Sequence, residues 1–145
     1  VTMDYGAVYK GYHSDITRTI VVGEPDEKML KIYNIVKEAQ QKVLDNIKAG
    51  MTTVEADAIA RDIIKEEGYG DKFGHGLGHG IGLEIHEGPR VSPKEEIELE
   101  KDMIVTNEPG IYISKWGGVR IEDDIVITKD GCRVLTSATK ELQKI

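Results

Sequence analysis

Three of the four histidines in this chain, His75, His79 and His86, fall within twelve residues, in a segment where Gly recurs at every second position from Gly74 to Gly82. Each Gly would weaken a helix by about 1 kcal/mol, so His75-x-x-x-His79 is not a helical metal motif. In an extended segment, alternating glycines empty one face for a backbone or a ligand to approach, and both imidazoles share the other face. A strand thinned only for packing has no use for the histidines. A functional site accounts for them better.

Four carboxylates belong with that site. Asp4 and Asp15 flank a turn signal at Lys10-Gly11, which brings them within a pair or two of each other across an antiparallel ladder. Aspartates beside a hairpin are usually just solvated, so these two alone say little. Glu108, however, follows an apolar strand pattern, and Glu122 lies inside a β-branched run, where acidic residues are depleted and usually have a partner. Charges that protect a sheet edge explain one such residue, but not Asp4, Asp15, Glu108 and Glu122 together.

Four carboxylates with one imidazole form an oxygen-rich donor set suited to Mn²⁺, Fe²⁺, Co²⁺ or Zn²⁺. Two unit charges 4 Å apart interact by about 4 kcal/mol at an effective dielectric of 20, so a ring of carboxylates must either protonate or hold cations. Two divalent ions match four carboxylates in charge. Held about 3.5–4 Å apart, such ions bind water and polarise a carbonyl.

The elements that must position these groups are legible in outline. Val1–Tyr9 alternates, and Ile16–Val22 is rich in β-formers, which predicts a hairpin closed at Lys10-Gly11. Pro25, Asp26 and Glu27 suit the positive end of a helix, and Met29, Ile32, Tyr33, Val36, Gln40, Val43, Leu44 and Ile47 form its apolar stripe, stopped by Ala49-Gly50. Thr52-x-x-Glu55 is a capping box for a second helix, closed by Gly68. An acidic loop follows between Pro89 and Glu100. Met103–Thr106, Ile111–Ile113, Val119–Thr128 and Arg133–Leu135 are expected to be strands, and Ser137 or Thr139 to cap a short terminal helix. The class is α+β: one unit with a mostly antiparallel sheet covered by helices.

Composition narrows the function further. A length of 145 residues suffices for one domain with a real core, and a net charge of −7 argues against a nucleic-acid partner. No apolar run approaches the roughly 20 residues of a membrane helix. The single cysteine, Cys132, can form no internal disulfide, which fits a reducing, cytoplasmic setting.

Five segments together carry a specific resemblance: Asp4-Tyr5-Gly6-Ala7, Ser14-Asp15-Ile16-Thr17-Arg18-Thr19, His75 through Glu87, Asn107-Glu108-Pro109-Gly110-Ile111-Tyr112, and Arg120-Ile121-Glu122-Asp123-Asp124. Their order and spacing resemble the metal-dependent "pita-bread" peptidases (creatinase/aminopeptidase-like fold), in particular the Xaa-Pro branch of aminopeptidase P and prolidase. The resemblance implies hydrolysis of the peptide bond before proline by a metal-bound hydroxide on short proline-containing peptides. It implies two divalent metal ions (Mn, Co, Zn or Fe, with Mn favoured). Asp4 would chelate one ion, Asp15 and Glu122 would bridge both, and His79 and Glu108 would complete the other. Glu108 would also be the general base. His86 would steady the scissile carbonyl, His75 would line the substrate pocket, and Tyr112 and Arg120 would stand around them.

The same resemblance implies that residues 1–145 are the C-terminal part of a catalytic domain whose first half and N-terminal domain lie elsewhere, in an enzyme that forms homo-oligomers. Methionine aminopeptidase shares the ligand set but does not usually carry Glu108-Pro109-Gly110-Ile111-Tyr112. Creatinase and the peptidase-like modules of histone chaperones have the fold without the ligands. A purely structural metal site would leave His75 and His86 without a role.

Overall fold

Lys10 and Gly11 both adopt positive φ, 49° and 86°, the geometry of a two-residue turn whose twist matches that of the strands it joins. They close a hairpin of β1 (Thr2–Tyr9) and β2 (Tyr12–Val21), with Tyr9 opposite Tyr12. The structure, a computed structural model, describes residues 1–145. Helix α1 (Glu27–Asn46) follows, and Asp26 is its N-cap, its carboxylate accepting from Met29 N at 2.7 Å. Helix α2 (Thr53–Glu66) starts at the expected capping box, with Thr52 and Glu55 bonded reciprocally.

A run of short strands completes the chain: β3 (Gly78–Gly80), β4 (Glu87–Val91), β5 (Ile104–Asn107), β6 (Gly110–Ile113), β7 (Gly117–Arg120), β8 (Asp123–Ile127), β9 (Cys132–Val134) and β10 (Gln143–Lys144). They form a five-stranded sheet β4-β3-β5-β8-β9, a β6-β7 pair, and a third sheet in which β10 joins the hairpin beside β2. Only the β10–β2 pairing is parallel. The helices and sheets share one core, in which Ile32, Val36 and Val43 of α1 and Ala60 and Ile64 of α2 are fully buried with Val105, Ile111 and Ile125. No helix is long and apolar enough to cross a membrane.

Three expectations need correction. Val119–Thr128 is not one strand, because Ile121 and Glu122 leave the ladder between β7 and β8. The backbone of Glu122 is used elsewhere: its N–H donates to Thr17 O at 3.0 Å and its carbonyl accepts from Arg18. The Pro89–Glu100 loop begins only after β4, which pairs with the glycine-rich β3. Finally, Ser137 and Thr139 cap no helix. The carbonyls of Ala138 and Thr139 accept from the Arg18 guanidinium, and the chain ends as β10 on β2. A short helix is marginal by itself, and strand pairing satisfies the backbone better.

Candidate metal centre and cleft

The hairpin register sets Asp4 opposite Thr17 and Asp15 opposite Gly6, so the two aspartates are diagonal neighbours on one face. Asp15 is fixed from behind, its N–H donating to Asp124 Oδ2 at 3.0 Å. Two residues along on the same face, Thr17 donates its hydroxyl to Glu122 Oε2 at 2.5 Å. The break between β7 and β8 therefore delivers Glu122 to this face, where it is 2% exposed.

His79 reaches the same point from β3. A Cβ on Gly78 would lie 2.0 Å from Thr106 O, so only glycine lets β3 approach β5 this closely. His79 N donates to Thr106 Oγ1, and its Nδ1 lies 2.9 Å from Gly80 O. A carbonyl only accepts, so Nδ1 carries a proton, and Nε2 is the ring nitrogen turned to the carboxylates. That Nε2 lies 3.3 Å from Glu108 Oε1 and 3.9 Å from Asp15 Oδ2. Ligand atoms of Asp15, His79 and Glu122 all lie within 4.8 Å of one another, a spacing that one ion can bridge. Glu108 is held beside them by its own N–H on Leu77 O and by the Thr106 hydroxyl at 2.9 Å.

Crowding these acids away from water has a cost that appears in their protonation. Burial, then the charge of Glu108, pushes the Glu122 carboxyl up to about 9. Burial pushes Glu108 to about 7, although the Thr106 hydroxyl opposes the rise. Burial raises Asp124 to about 6, and burial with the nearby Asp4 charge raises Asp15. Without a cation, this cluster holds protons. The donors of a divalent-metal site are therefore present, with a charge imbalance that divalent ions would relieve.

Asp4 stands apart from the tight cluster. Its carboxylate is half exposed and accepts from Arg120 Nη2. Arg120 also donates to Thr17 Oγ1 at 3.1 Å and to the Tyr112 hydroxyl at 2.9 Å, tying Asp4 to the Thr17–Glu122 side. The Tyr112 hydroxyl in turn lies 2.9 Å from His75 Nε2. Burial lowers the pKa of His75, and its Nδ1 lies 2.7 Å from Gly76 O, the pattern of a neutral ring.

A cleft of about 940 Å³ opens over these groups, lined among others by Asp4, His75, His79, His86, Glu108 and Arg120. His86 comes from an exposed loop, its ring centroid 4.3 Å from that of His79. His75 and His79 thus share the cleft as expected. His13 does not line it. The Asp pair after Glu122 is divided in task. Asp124 anchors Asp15, whereas Asp123 binds Arg18, Gln40 and Lys140. Burial alone would raise Asp123, but Lys140, Thr136 and Arg18 together hold its carboxyl below the usual range. Sequence reasoning missed Thr17 and Thr106. The two-residue period of β2 carried the signal for Thr17, since it shares a face with Asp15.

An antiparallel sheet scaffold, two covering helices and a cluster of carboxylates and histidines beside a cleft make a candidate divalent-metal site, and the chain belongs to metallopeptidase family M24, whose sequence profile matches residues 1–129. The Xaa-Pro dipeptidase of Pyrococcus furiosus is 58% identical over 142 residues, covering 98% of this chain and 41% of that protein. The solved structure of the Xaa-Pro dipeptidase from Bacillus anthracis superposes with a TM-score of 0.98 at 59% identity, over 99% of this chain and 41% of that one. The X-Pro aminopeptidase from Thermotoga maritima does so at 0.96 and 44% identity, over 99% and 41%. The fold is the pita-bread fold these proteins share, and the chain spans about two fifths of their length.

Proposed function

We propose that the protein carrying this chain hydrolyses the peptide bond before proline, with two divalent ions held by Asp4, Asp15, His79, Glu108 and Glu122. The observation that carries the reading is the convergence of Asp15, His79 and Glu122 within 4.8 Å, with Glu108 Oε1 3.3 Å from His79, where His79 and Glu108 line the cleft. Relatives at 58% and 59% identity are named Xaa-Pro dipeptidases, which supports the proline specificity. Asp4 with Asp15 and Glu122 would hold one ion, and His79 and Glu108 with the same two carboxylates would hold the other. Manganese is favoured because carboxylates outnumber imidazole four to one in the donor set. When bound, such ions supply Lewis acidity and make a water nucleophilic near neutral pH.

The residues do the rest. Glu108 takes the proton of the attacking water and passes it to the proline nitrogen as the C–N bond breaks. His86 donates to the carbonyl oxygen as negative charge develops there. His75, buttressed by Tyr112, forms the wall against which the peptide lies. Arg120 keeps the Asp4 carboxylate turned to the site. The cytoplasm is the proposed compartment, and a homo-oligomer the proposed assembly of the whole enzyme.

Two measurements test the function. Elemental analysis of folded protein after Mn²⁺ loading should find close to two ions per chain, and a value of zero overturns the proposal. Purified protein should cleave an Xaa-Pro dipeptide or Xaa-Pro-Yaa tripeptide and leave Met-Ala peptides intact. The reverse preference would assign it to the methionine aminopeptidases, and folded, metal-loaded protein without turnover would make it a binding module.

A further inference from the structure

Asp57 and Arg61 lie one turn apart on α2, outside the residues that hold the metals, yet they grip the segment that carries His75. Arg61 Nε and Nη2 donate to the two oxygens of Asp57 at 2.5 and 2.9 Å, and Asp57 is 1% exposed. The guanidinium then spends its remaining geometry on the glycine-rich segment. Nη1 donates to Phe73 O at 3.0 Å and Nη2 to His75 O at 2.7 Å. Asp57 Oδ1 also accepts from Leu77 N at 2.9 Å. Three backbone atoms across five residues, Phe73 O, His75 O and Leu77 N, are therefore tied to one helix-borne ion pair.

Side-chain packing points the same way. The guanidinium stacks 4.3 Å from the Phe73 ring, and Phe73 meets the His75 ring edge-on at 5.1 Å and 89°. Behind the segment, a Cβ on Gly76 would lie 2.8 Å from Val91 O, so the backbone is pressed against β4 with no room to shift that way. A glycine-rich segment is intrinsically loose. What fixes the His75 backbone in front is the fork of Arg61, a planar five-donor group that lysine cannot imitate.

We propose that Asp57 and Arg61 are positioning residues that set where the His75 imidazole stands in the cleft, and so tune peptide binding without touching the metal ligands. The peptide-binding part rests on the proposed function, whereas the placement of His75 does not.

The test uses Arg61→Lys, which keeps a cation against the buried Asp57, and Arg61→Gln as a second, uncharged variant. Histidine side-chain NMR on metal-free protein, with the His75 signal identified by its loss in His75→Asn, should show that signal shifted or doubled in the variants. The signals of His13, His79 and His86 should stay in place. In turnover assays, KM for an Xaa-Pro peptide should rise about tenfold with kcat within about twofold, and the bound-metal count should not change. A lower thermal midpoint with all four histidine signals unmoved would make the pair merely structural and overturn the proposal. A loss in kcat or metal count with KM unchanged would overturn it as well. If the unsubstituted protein cleaves no Xaa-Pro peptide, the functional assignment fails by itself and the NMR result still decides the placement of His75.

Discussion

Glu108 concentrates the proposed chemistry in one side chain, because it sits at once beside His79 and on the Thr106 hydroxyl. Glu108→Gln keeps the shape and can still accept from Thr106, but it removes a charge and the proton acceptor. Its kcat should fall by about 10²–10⁴-fold while circular dichroism stays native. His79→Ala should instead lower the metal count from two to one by elemental analysis, since the carboxylates on the other side remain. At this scale the sequence was informative wherever a side chain sat in an unusual setting: acids in β-branched runs, and histidines among glycines. It was silent on Thr17, Thr106, Asp57 and Arg61. These are ordinary residues whose roles come from partners up to 105 positions away.

Among the elements, β3 shows how a short segment can decide a site. Gly78→Ala would drive a Cβ into Thr106 O, parting β3 from β5 and displacing His79. Chemical denaturation should show a loss of about 1–3 kcal/mol. Gly74→Ala, where nothing lies within 4 Å of an added Cβ, is the control and should be close to neutral. Thr52→Ala should remove the α2 capping box and cost about 1 kcal/mol in the same assay. The hairpin turn and both helix starts were legible because their signals are local: a turn dipeptide, acidic residues at a helix start, a capping box. Pro25, expected in the first turn of α1, instead precedes its N-cap Asp26. The break between β7 and β8 was not, because it depends on the backbone of Thr17 and the guanidinium of Arg18.

For the whole molecule, the protonation of the cluster links stability to pH and to metal. In metal-free protein, Glu122 and Glu108 retain protons up to about 9 and about 7, while the unfolded chain loses them near 4.5. The native state thus binds more protons than the unfolded state across that window, and the slope of stability against pH is negative there. The thermal midpoint of metal-free protein should therefore fall as pH rises from about 5 to 9. Mn²⁺ displaces the same protons, so its affinity, and the stabilisation it gives, should rise over that range. A metal-free midpoint that climbs steadily with pH would contradict the proposed crowding.

By itself, the sequence determined the class of the fold, the hairpin and the two helices, and it singled out His75, His79, His86 and Glu108, which line the cleft, because periodicity, capping and motif spacing are written in neighbouring positions. It also carried the diagonal relation of Asp4 and Asp15, since a two-residue turn fixes the register of its strands. Only the tertiary structure decided that Asp15, His79 and Glu122 form the tight cluster while Asp4 is held by Arg120, and that the chain ends as a strand rather than a helix. Those outcomes depend on which distant donor reaches a carboxylate or carbonyl first. That competition is settled by packing across the whole domain, where an unpaired buried polar group costs more than a local preference can offset.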